Sequence, residues 1–186
     1  MMWGVTGKIL RVELNNRRTS VEEPGESFYR TYGGGSALAC YHLLRERPAR
    51  VDPLSPENLL VFASGPVVGT GIPGANRYSV AAVSPLTGCY GEAEAGGWWS
   101  PELKRAGYDA VLVEGASENP VYLWIQDGKA ELRDHWQELE RRWHRLEGRL
   151  ARAREGARAD GQNVREATRL LARELRESYE HLRKRL

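Results

Sequence analysis

The sequence predicts an α+β fold with mixed or antiparallel β-sheets and short helices, followed by a C-terminal helical hairpin or coiled coil. Strand-like runs recur through residues 1–134 without the regular strand–helix alternation of a parallel α/β sheet. From residue 135 onward, apolar residues repeat at spacings of three and four. Charge changes at the same point, because residues 1–134 carry 13 Lys and Arg against 16 Asp and Glu, whereas residues 135–186 carry 14 against 9. We therefore predict two domains, 1–134 and 135–186.

The N-terminal part predicts a pair of strands and then two helices. In "GKILRVELNN" the residues Leu10, Val12 and Leu14 alternate at period two, which indicates a half-buried strand, and "RRTSVEE" indicates its return strand. Residues 25–32 suit one or two helical turns. In "YGGGSALACYHLLRE" glycines precede an apolar helical stripe, and Ser36 is the predicted N-cap of that helix.

The next segments predict further strands joined by glycine-rich loops. "NLLVFASGP" and "RYSVAAVS" are typical of buried strands, and "GTGIPGAN" between them is a loop. "GGWWSPELKRAGYDAVLVEG" predicts a short helix followed by a strand. "PVYLWIQDGKAELRD" predicts a hairpin, because the pair Asp127-Gly128 suits a type I′ turn.

The C-terminal domain shows two apolar seams separated by "GARADGQN". The first seam consists of Trp136, Leu139, Trp143, Leu146, Leu150, Ala153 and Ala157, and the second of Val164, Ala167, Leu171, Leu175, Ser178 and Leu182. The seams predict either an antiparallel hairpin within one chain or helices that pair with another copy. Arg and Glu dominate the remaining positions and are typical of solvated helix faces, so we predict no nucleic-acid partner.

Composition narrows the possible functions further. The N-terminus has no signal-peptide core and no window suits a membrane span, so we expect a cytoplasmic protein without a membrane partner. The two cysteines, Cys40 and Cys89, lie 49 positions apart and do not match the spacing of an iron–sulfur cluster site. The four histidines show no metal-ligand spacing either. No complete catalytic set is present, and we predict no catalytic residue in this chain.

Several long strings together resemble one known family. "TGKILRVEL", "YGGGSALACYHLL", "VDPLSPENLLVFASGPVVGTGIPGANRYSVAAVSPLTG", "AGGWWSPELKRAGYDAVLVEG" and "PVYLWIQDGKAELRD" occur in the order and spacing of the N-terminal domain of tungsten-containing aldehyde:ferredoxin oxidoreductases. The resemblance covers most of residues 3–134. It implies an α+β half of a base that holds a metal on two pterin dithiolenes, while C-terminal domains supply the iron–sulfur cysteines and much of the substrate pocket.

The resemblance also implies a set of cofactor-binding positions. The expected cofactor is a tungsten- or molybdenum-pterin with Mg²⁺, and the expected reaction is oxidation of an aldehyde to its acid with electrons passed to ferredoxin. The backbone carbonyl of Glu94 would bind the Mg²⁺, and Arg77 would contact the pterin. The full set of implied cofactor-binding residues is Gly34, Gly35, Ser36, Arg77, Tyr78, Glu94, Ala95, Gly96 and Gly97.

The chain departs from the family at two of these positions. Ser36 stands where the family usually has a basic residue, and Glu94 stands where it has asparagine, which brings an extra anion close to phosphates. Two hypotheses follow. The chain is an incomplete, non-autonomous pterin-binding module that works with a partner oxidoreductase chain, or it is a cofactor-free structural protein that self-assembles through its helical hairpin. In either case we predict a homodimer or higher oligomer, because a single half of the base leaves an apolar face without a partner.

Overall fold

The structure is a computed structural model and describes residues 4–46, residues 50–133 and Gly148. The predicted helical seams of residues 135–186 and the domain boundary lie outside the described residues and stay predictions. The described elements are β1 (Ile9–Glu13), β2 (Arg18–Glu22), α1 (Glu26–Tyr32), α2 (Gly35–Glu46), β3 (Leu59–Ser64), β4 (Tyr78–Val83), β5 (Tyr90–Ala95), α3 (Trp99–Arg105), β6 (Ala110–Glu114), β7 (Tyr122–Gln126) and β8 (Lys129–Arg133).

Six of these strands form one mixed sheet in the order β2-β1-β6-β3-β4-β5. Strands β1 and β6 run parallel, with Ile9 opposite Ala110, and every other pair in the sheet is antiparallel. Strands β7 and β8 form a separate hairpin. The predicted mixed α+β class with a mostly sheet core is thus confirmed for the described part of the chain.

Each face of the sheet carries its own apolar core. On one face, Leu38, Ala39 and Leu43 of α2 pack with strand residues that include Val61 and Leu112, all of them buried. These α2 residues recur at helical spacing, so one stripe of the helix faces the sheet. The opposite face of β1 and β6 packs against Leu103, Tyr108 and the β7–β8 hairpin. Strand β6 lies between β1 and β3 in the six-stranded sheet and contributes residues to both cores.

Asp109, directly before β6, anchors the N-terminal segment to the sheet. Its carboxylate accepts hydrogen bonds from the backbone N–H groups of Thr6 at 2.9 Å and Gly7 at 2.8 Å. The ammonium group of Lys104 lies 2.8 Å from the same carboxylate. Asp109 is buried, so these three donors replace the water that it loses on folding.

A partly buried ionic cluster joins β1, β2, β6 and α2. Arg11 contacts Glu22 at 2.6 Å, Glu46 at 2.8 Å and Glu114 at 3.3 Å through three different guanidinium nitrogens. The ring Nδ1 of His42 lies 2.7 Å from Glu46. Burial alone would raise the pKa of Glu46, but the contacts with His42 and Arg11 bring that pKa below its usual value of 4.5. The guanidinium therefore ties three strands to the end of the helix.

Most predicted elements appear where the sequence places them. The turn between β7 and β8 has positive φ at both Asp127 (49°) and Gly128 (75°), which confirms the type I′ turn. Among the described residues, no helix is long and apolar enough to cross a membrane.

The N-cap prediction for Ser36 is wrong. Helix α2 begins one residue earlier, at Gly35, and the Ser36 hydroxyl points to side chains of the sheet instead of a helix N–H group. The sequence analysis also missed β5 (Tyr90–Ala95), the edge strand next to β4. The two differences are linked, because β5 carries the carboxylate that accepts the hydrogen bond of Ser36.

Candidate functional site

A cavity of about 430 Å³ lies where the loop before β4 meets the turn after β5. Because β4 and β5 are antiparallel, with Tyr78 opposite Ala95, the residues before β4 lie beside those after β5. The cavity is lined by Gly74, Asn76, Arg77, Glu94, Ala95, Gly96 and Gly97. Five of the nine predicted cofactor-binding residues therefore share this one cavity.

The glycine end of the cavity is open because it has no side chains. Gly97 has φ of 99°, in the region that favours glycine, and no atom would lie within 4 Å of an added Cβ. A Cβ on Gly96 would meet the backbone oxygen of Asn76 at 3.5 Å, an ordinary contact distance. The backbone at Gly96 and Gly97 is therefore accessible to a large, flat ligand.

The loop before β4 is held in place by its own hydrogen bonds. The backbone N–H of Gly69 donates to the side-chain oxygen of Asn76 at 3.2 Å, and the N–H of Gly65 donates to the carbonyl of Arg77 at 3.3 Å. Because the side-chain oxygen of Asn76 accepts, its NH₂ group is left as a donor beside Arg77. The cavity wall is thus largely formed before any ligand arrives.

The charges of the cavity lining balance. The Arg77 guanidinium nitrogen Nη1 lies 3.4 Å from Oε2 of Glu94, and the two side chains are 67% and 53% exposed. An ion pair this exposed contributes about 0–1 kcal/mol, since water screens it. Glu94 therefore restrains the Arg77 side chain only weakly, and a more highly charged anion can replace Glu94 as its hydrogen-bond acceptor.

The glycines before α2 lie outside this cavity. A Cβ on Gly34 would come within 2.3 Å of the backbone oxygen of Ser64, so Gly34 permits a close approach of the helix start to β3. Gly35 has φ of 57°, in the region that favours glycine, and an added Cβ would meet the Ser79 hydroxyl at an ordinary 3.5 Å. Close packing therefore explains Gly34, and backbone conformation explains Gly35.

Ser36 links α2 to the edge of the sheet. Its hydroxyl lies 3.2 Å from that of Ser79 and donates to Oε1 of Glu92. The Tyr90 hydroxyl donates to the other oxygen of Glu92 at 3.1 Å. The bond from Ser36 lowers the pKa of Glu92, while burial and then the contact with Glu92 raise the pKa of Tyr90. A carboxylate of the protein thus lies at the start of α2, beside the predicted cofactor-binding residues Gly34, Gly35 and Ser36.

Sequence reasoning missed Tyr90 and Glu92. The signal that could have found them is the alternation in "YGEAEA", where Tyr90, Glu92 and Glu94 recur at period two along an edge strand. Tyr78, a predicted site residue, does not line the cavity. Its ring packs on Trp99 with centroids 4.6 Å apart.

The residues of the cavity fit one phosphate-bearing edge of a pterin cofactor. Arg77 and the NH₂ group of Asn76 can donate to phosphate oxygens, and the glycine backbone leaves space for a flat ring. Within residues 4–46 and 50–133, no group of three or more His, Cys, Asp or Glu side chains could hold a metal ion.

The described residues thus form a mixed α+β sheet domain with a glycine-lined cavity that carries an arginine. The family described as the N-terminal domain of aldehyde ferredoxin oxidoreductase matches residues 9–183. The chain therefore belongs to the aldehyde ferredoxin oxidoreductase family, and the resemblance seen in the sequence is confirmed.

Individual relatives agree with this assignment. The tungsten-containing aldehyde ferredoxin oxidoreductase of Pyrococcus furiosus is 47% identical over 133 residues, which are 72% of this chain and 22% of that protein. The aliphatic sulfonate oxidoreductase, WOR-like subunit, of the same organism is 36% identical over 140 residues, with the same coverage of 72% and 22%. The chain thus spans about a fifth of the length of these relatives.

A solved structure shows the same fold. The active-site complex BamBC of benzoyl coenzyme A reductase, in complex with 1,5-dienoyl-CoA, is 40% identical with a TM-score of 0.70. The match covers 72% of this chain and 20% of that one.

Proposed function

We propose that residues 4–133 form a tungsten-pterin-binding base that takes part in aldehyde oxidation only together with further oxidoreductase segments. The observation that carries the proposal is the cavity that brings Arg77, Glu94, Gly96 and Gly97 together beside Asn76. The relative from Pyrococcus furiosus is named as a tungsten-containing enzyme, which supports tungsten over other metals.

In this proposal the chain binds and orients the cofactor. Arg77 would donate to its phosphate, the backbone of Gly96 and Gly97 would bind beside its ring, and the backbone carbonyl of Glu94 would bind Mg²⁺. A tungsten pterin, when bound, supplies the two-electron oxidation–reduction chemistry. The thiolates for an iron–sulfur cluster lie outside these 186 residues, because the chain has two cysteines and a cluster needs four ligands.

Partner chains are part of the same proposal. One relative is named as a subunit and the solved structure is a complex, which supports assembly with another oxidoreductase chain. A cytoplasmic location belongs to the proposal too, since Cys40 and Cys89 are both free thiols, as a reducing compartment favours.

A second candidate function is a structural role in assembly without catalysis. The observation in its favour is the exposure of large apolar side chains near the cavity, with Trp98 74% exposed, Ile72 58% and Trp99 40%. Exposed apolar groups of this size are typical of interaction surfaces. This candidate also predicts a homodimer or higher oligomer, but without a bound cofactor.

Metal and pterin analysis separates the two candidates. The chain is purified from tungstate-replete cells that make the pterin, tungsten and molybdenum are measured by mass spectrometry, and pterin is measured by fluorescence after oxidation. We expect near-stoichiometric tungsten and pterin in the wild type and a severalfold loss in Arg77→Gln. Sedimentation of the same preparation gives its oligomeric state.

Arg30→Gln is the matched control, because Arg30 is also exposed and paired with a carboxylate, Glu26, at 2.6 Å. It should keep the wild-type cofactor content. A wild-type protein that carries neither metal nor pterin contradicts the cofactor proposal, and an oligomeric protein of that kind supports the structural candidate instead.

A further inference from the structure

We propose that Ser36 is a positioning residue, which holds the β5 wall of the cavity in place through Glu92 instead of contacting a cofactor itself. The inference deepens the proposed function and rests on it, because the position of this wall has a consequence only if the cavity binds a ligand. It gives a role to the serine that stands where the family usually has a basic residue.

The first step of the argument is that the sheet alone holds β5 weakly. The strand lies at the end of the strand order, so that among the described strands it pairs with β4 on one side. Its sequence, "YGEAEA", consists largely of glycine, alanine and glutamate, which are poor strand formers. The strand leads directly into the cavity lining, to which it and the following turn contribute Glu94, Ala95, Gly96 and Gly97. Local opening of β5 would therefore displace this wall of the cavity.

The second step is a hydrogen-bonded cluster that joins β5 to α2. The two carboxylate oxygens of Glu92 accept hydrogen bonds from the hydroxyls of Ser36 and Tyr90. Because the Ser36 hydroxyl donates to this carboxylate, its oxygen can accept from the Ser79 hydroxyl, which lies 3.2 Å away. Ser79 is a buried residue of β4. The cluster thus joins α2 to both strands of the β4–β5 pair.

The third step is the strength of the link from Ser36. Its hydrogen bond lowers the pKa of Glu92 below the usual value of 4.5, so this carboxylate is ionised at neutral pH. Hydrogen bonds to an ionised group are stronger than those between neutral groups. Tyr90 lies on the same strand as Glu92, and its hydroxyl reaches α2 only at a long 3.4 Å from the Ser36 backbone oxygen. Helix α2 is a firm support for the link, because its apolar stripe is buried against the sheet.

The test is hydrogen–deuterium exchange of the full chain, measured by mass spectrometry. Wild type is compared with Ser36→Ala, Ser36→Thr and Glu92→Ala, and Ser27→Ala is the matched control because Ser27 is an exposed serine of α1. We expect Ser36→Ala to raise the exchange rate of the backbone N–H groups in residues 90–97 about tenfold, the factor that corresponds to one hydrogen bond of ordinary net strength. Exchange in β3 and β6 should stay at the wild-type rate.

Two further variants separate positioning from a general loss of stability. Ser36→Thr keeps the hydroxyl and should exchange as the wild type does, and so should Ser27→Ala. The double variant of Ser36→Ala and Glu92→Ala should exchange like Glu92→Ala alone, because both changes break the same contact. Wild-type exchange in Ser36→Ala overturns the inference. An additive effect in the double variant, or an equal rise in β3 and β6, overturns it as well.

The pterin content of the same preparations connects the wall to binding. Ser36→Ala should carry less pterin than the wild type, Ser36→Thr should carry the same amount, and Ser36→Ala should cause no further loss in the Glu92→Ala background. A faster-exchanging wall with the wild-type pterin content overturns the positioning role. A wild type without pterin contradicts the proposed function instead, while the exchange rates still decide whether Ser36 holds β5 through Glu92.

Discussion

Arg11 and Arg77 both pair with glutamate, but their surroundings are opposite. The Arg11 side chain is 14% exposed and contacts three carboxylates from β2, α2 and β6, whereas Arg77 is 67% exposed and contacts Glu94 at 3.4 Å. A partly buried charge depends on its partners, whereas an exposed charge is screened by water. We therefore expect Arg11 to contribute to stability, and the role proposed for Arg77 is in binding. Contacts between arginine and glutamate thus differ in exposure, and in expected role, between the two regions.

The largest expected effect is the loss of the partly buried Arg11 guanidinium. Arg11→Met leaves Glu22, Glu46 and Glu114 close together without their cation, and should lower the free energy of unfolding by about 3–5 kcal/mol. Urea unfolding followed by circular dichroism measures this change. Arg77→Gln is the matched control and should change it by about 0–1 kcal/mol. Equal losses of unfolding free energy in the two variants would contradict the distinction drawn between Arg11 and Arg77.

Two glycines allow a second comparison, between the packed sheet and the cavity, with a smaller expected change in the free energy of unfolding. Gly34→Ala places a Cβ 2.3 Å from the Ser64 backbone oxygen, and the resulting overlap should lower the free energy of unfolding by about 1–3 kcal/mol. Gly96→Ala in the cavity meets its neighbour at an ordinary 3.5 Å and should change stability by about 0.5 kcal/mol or less. Thermal unfolding of both variants checks the difference. A tolerated Gly34→Ala would show that α2 can shift away from β3.

The smallest expected effect is the pH dependence of stability that comes from the partly buried ionic cluster. The folded-state pKa of Glu46 lies below 4.5, so its contribution to stability is present above pH 4.5 and is lost as the pH falls through the folded-state pKa. Glu46→Gln should therefore be less stable than the wild type near neutral pH and lose less stability on acidification. Glu94→Gln controls for the loss of one negative charge. A wild-type acid profile in Glu46→Gln would contradict the coupling with Arg11 and His42.

Much of the fold was predictable from local patterns, because helices, strands and tight turns each depend on residues that are close together in the sequence. The alternation in "GKILRVELNN", the apolar stripe of α2 and the Asp127-Gly128 turn each require only a few positions. Strand β5 was missed because alanine, glycine and glutamate are poor strand formers, and its place at the sheet edge depends on pairing with β4. The parallel pairing of Ile9 with Ala110 likewise spans about a hundred residues, which no local pattern shows.

The candidate site was predictable in part for a similar reason. Arg77 and Gly96 meet because β4 and β5 are antiparallel, so the segments on either side of the pair close on one cavity. Tyr78 follows Arg77 directly, but successive strand residues point to opposite faces, and its ring contacts Trp99 instead. Ser36 was misjudged because its partner, Glu92, comes from the strand that the sequence did not reveal.

The position of β6 also sets the order in which this protein can be assembled. Until Ala110–Glu114 leaves the ribosome, β1–β2 and β3–β4–β5 are two separate pieces of sheet, since β6 is the strand that lies between them. Contacts between residues so distant in sequence close late and slowly. A nascent chain shorter than this therefore exposes two unpaired strand edges, which are the kind of edge that pairs with other chains.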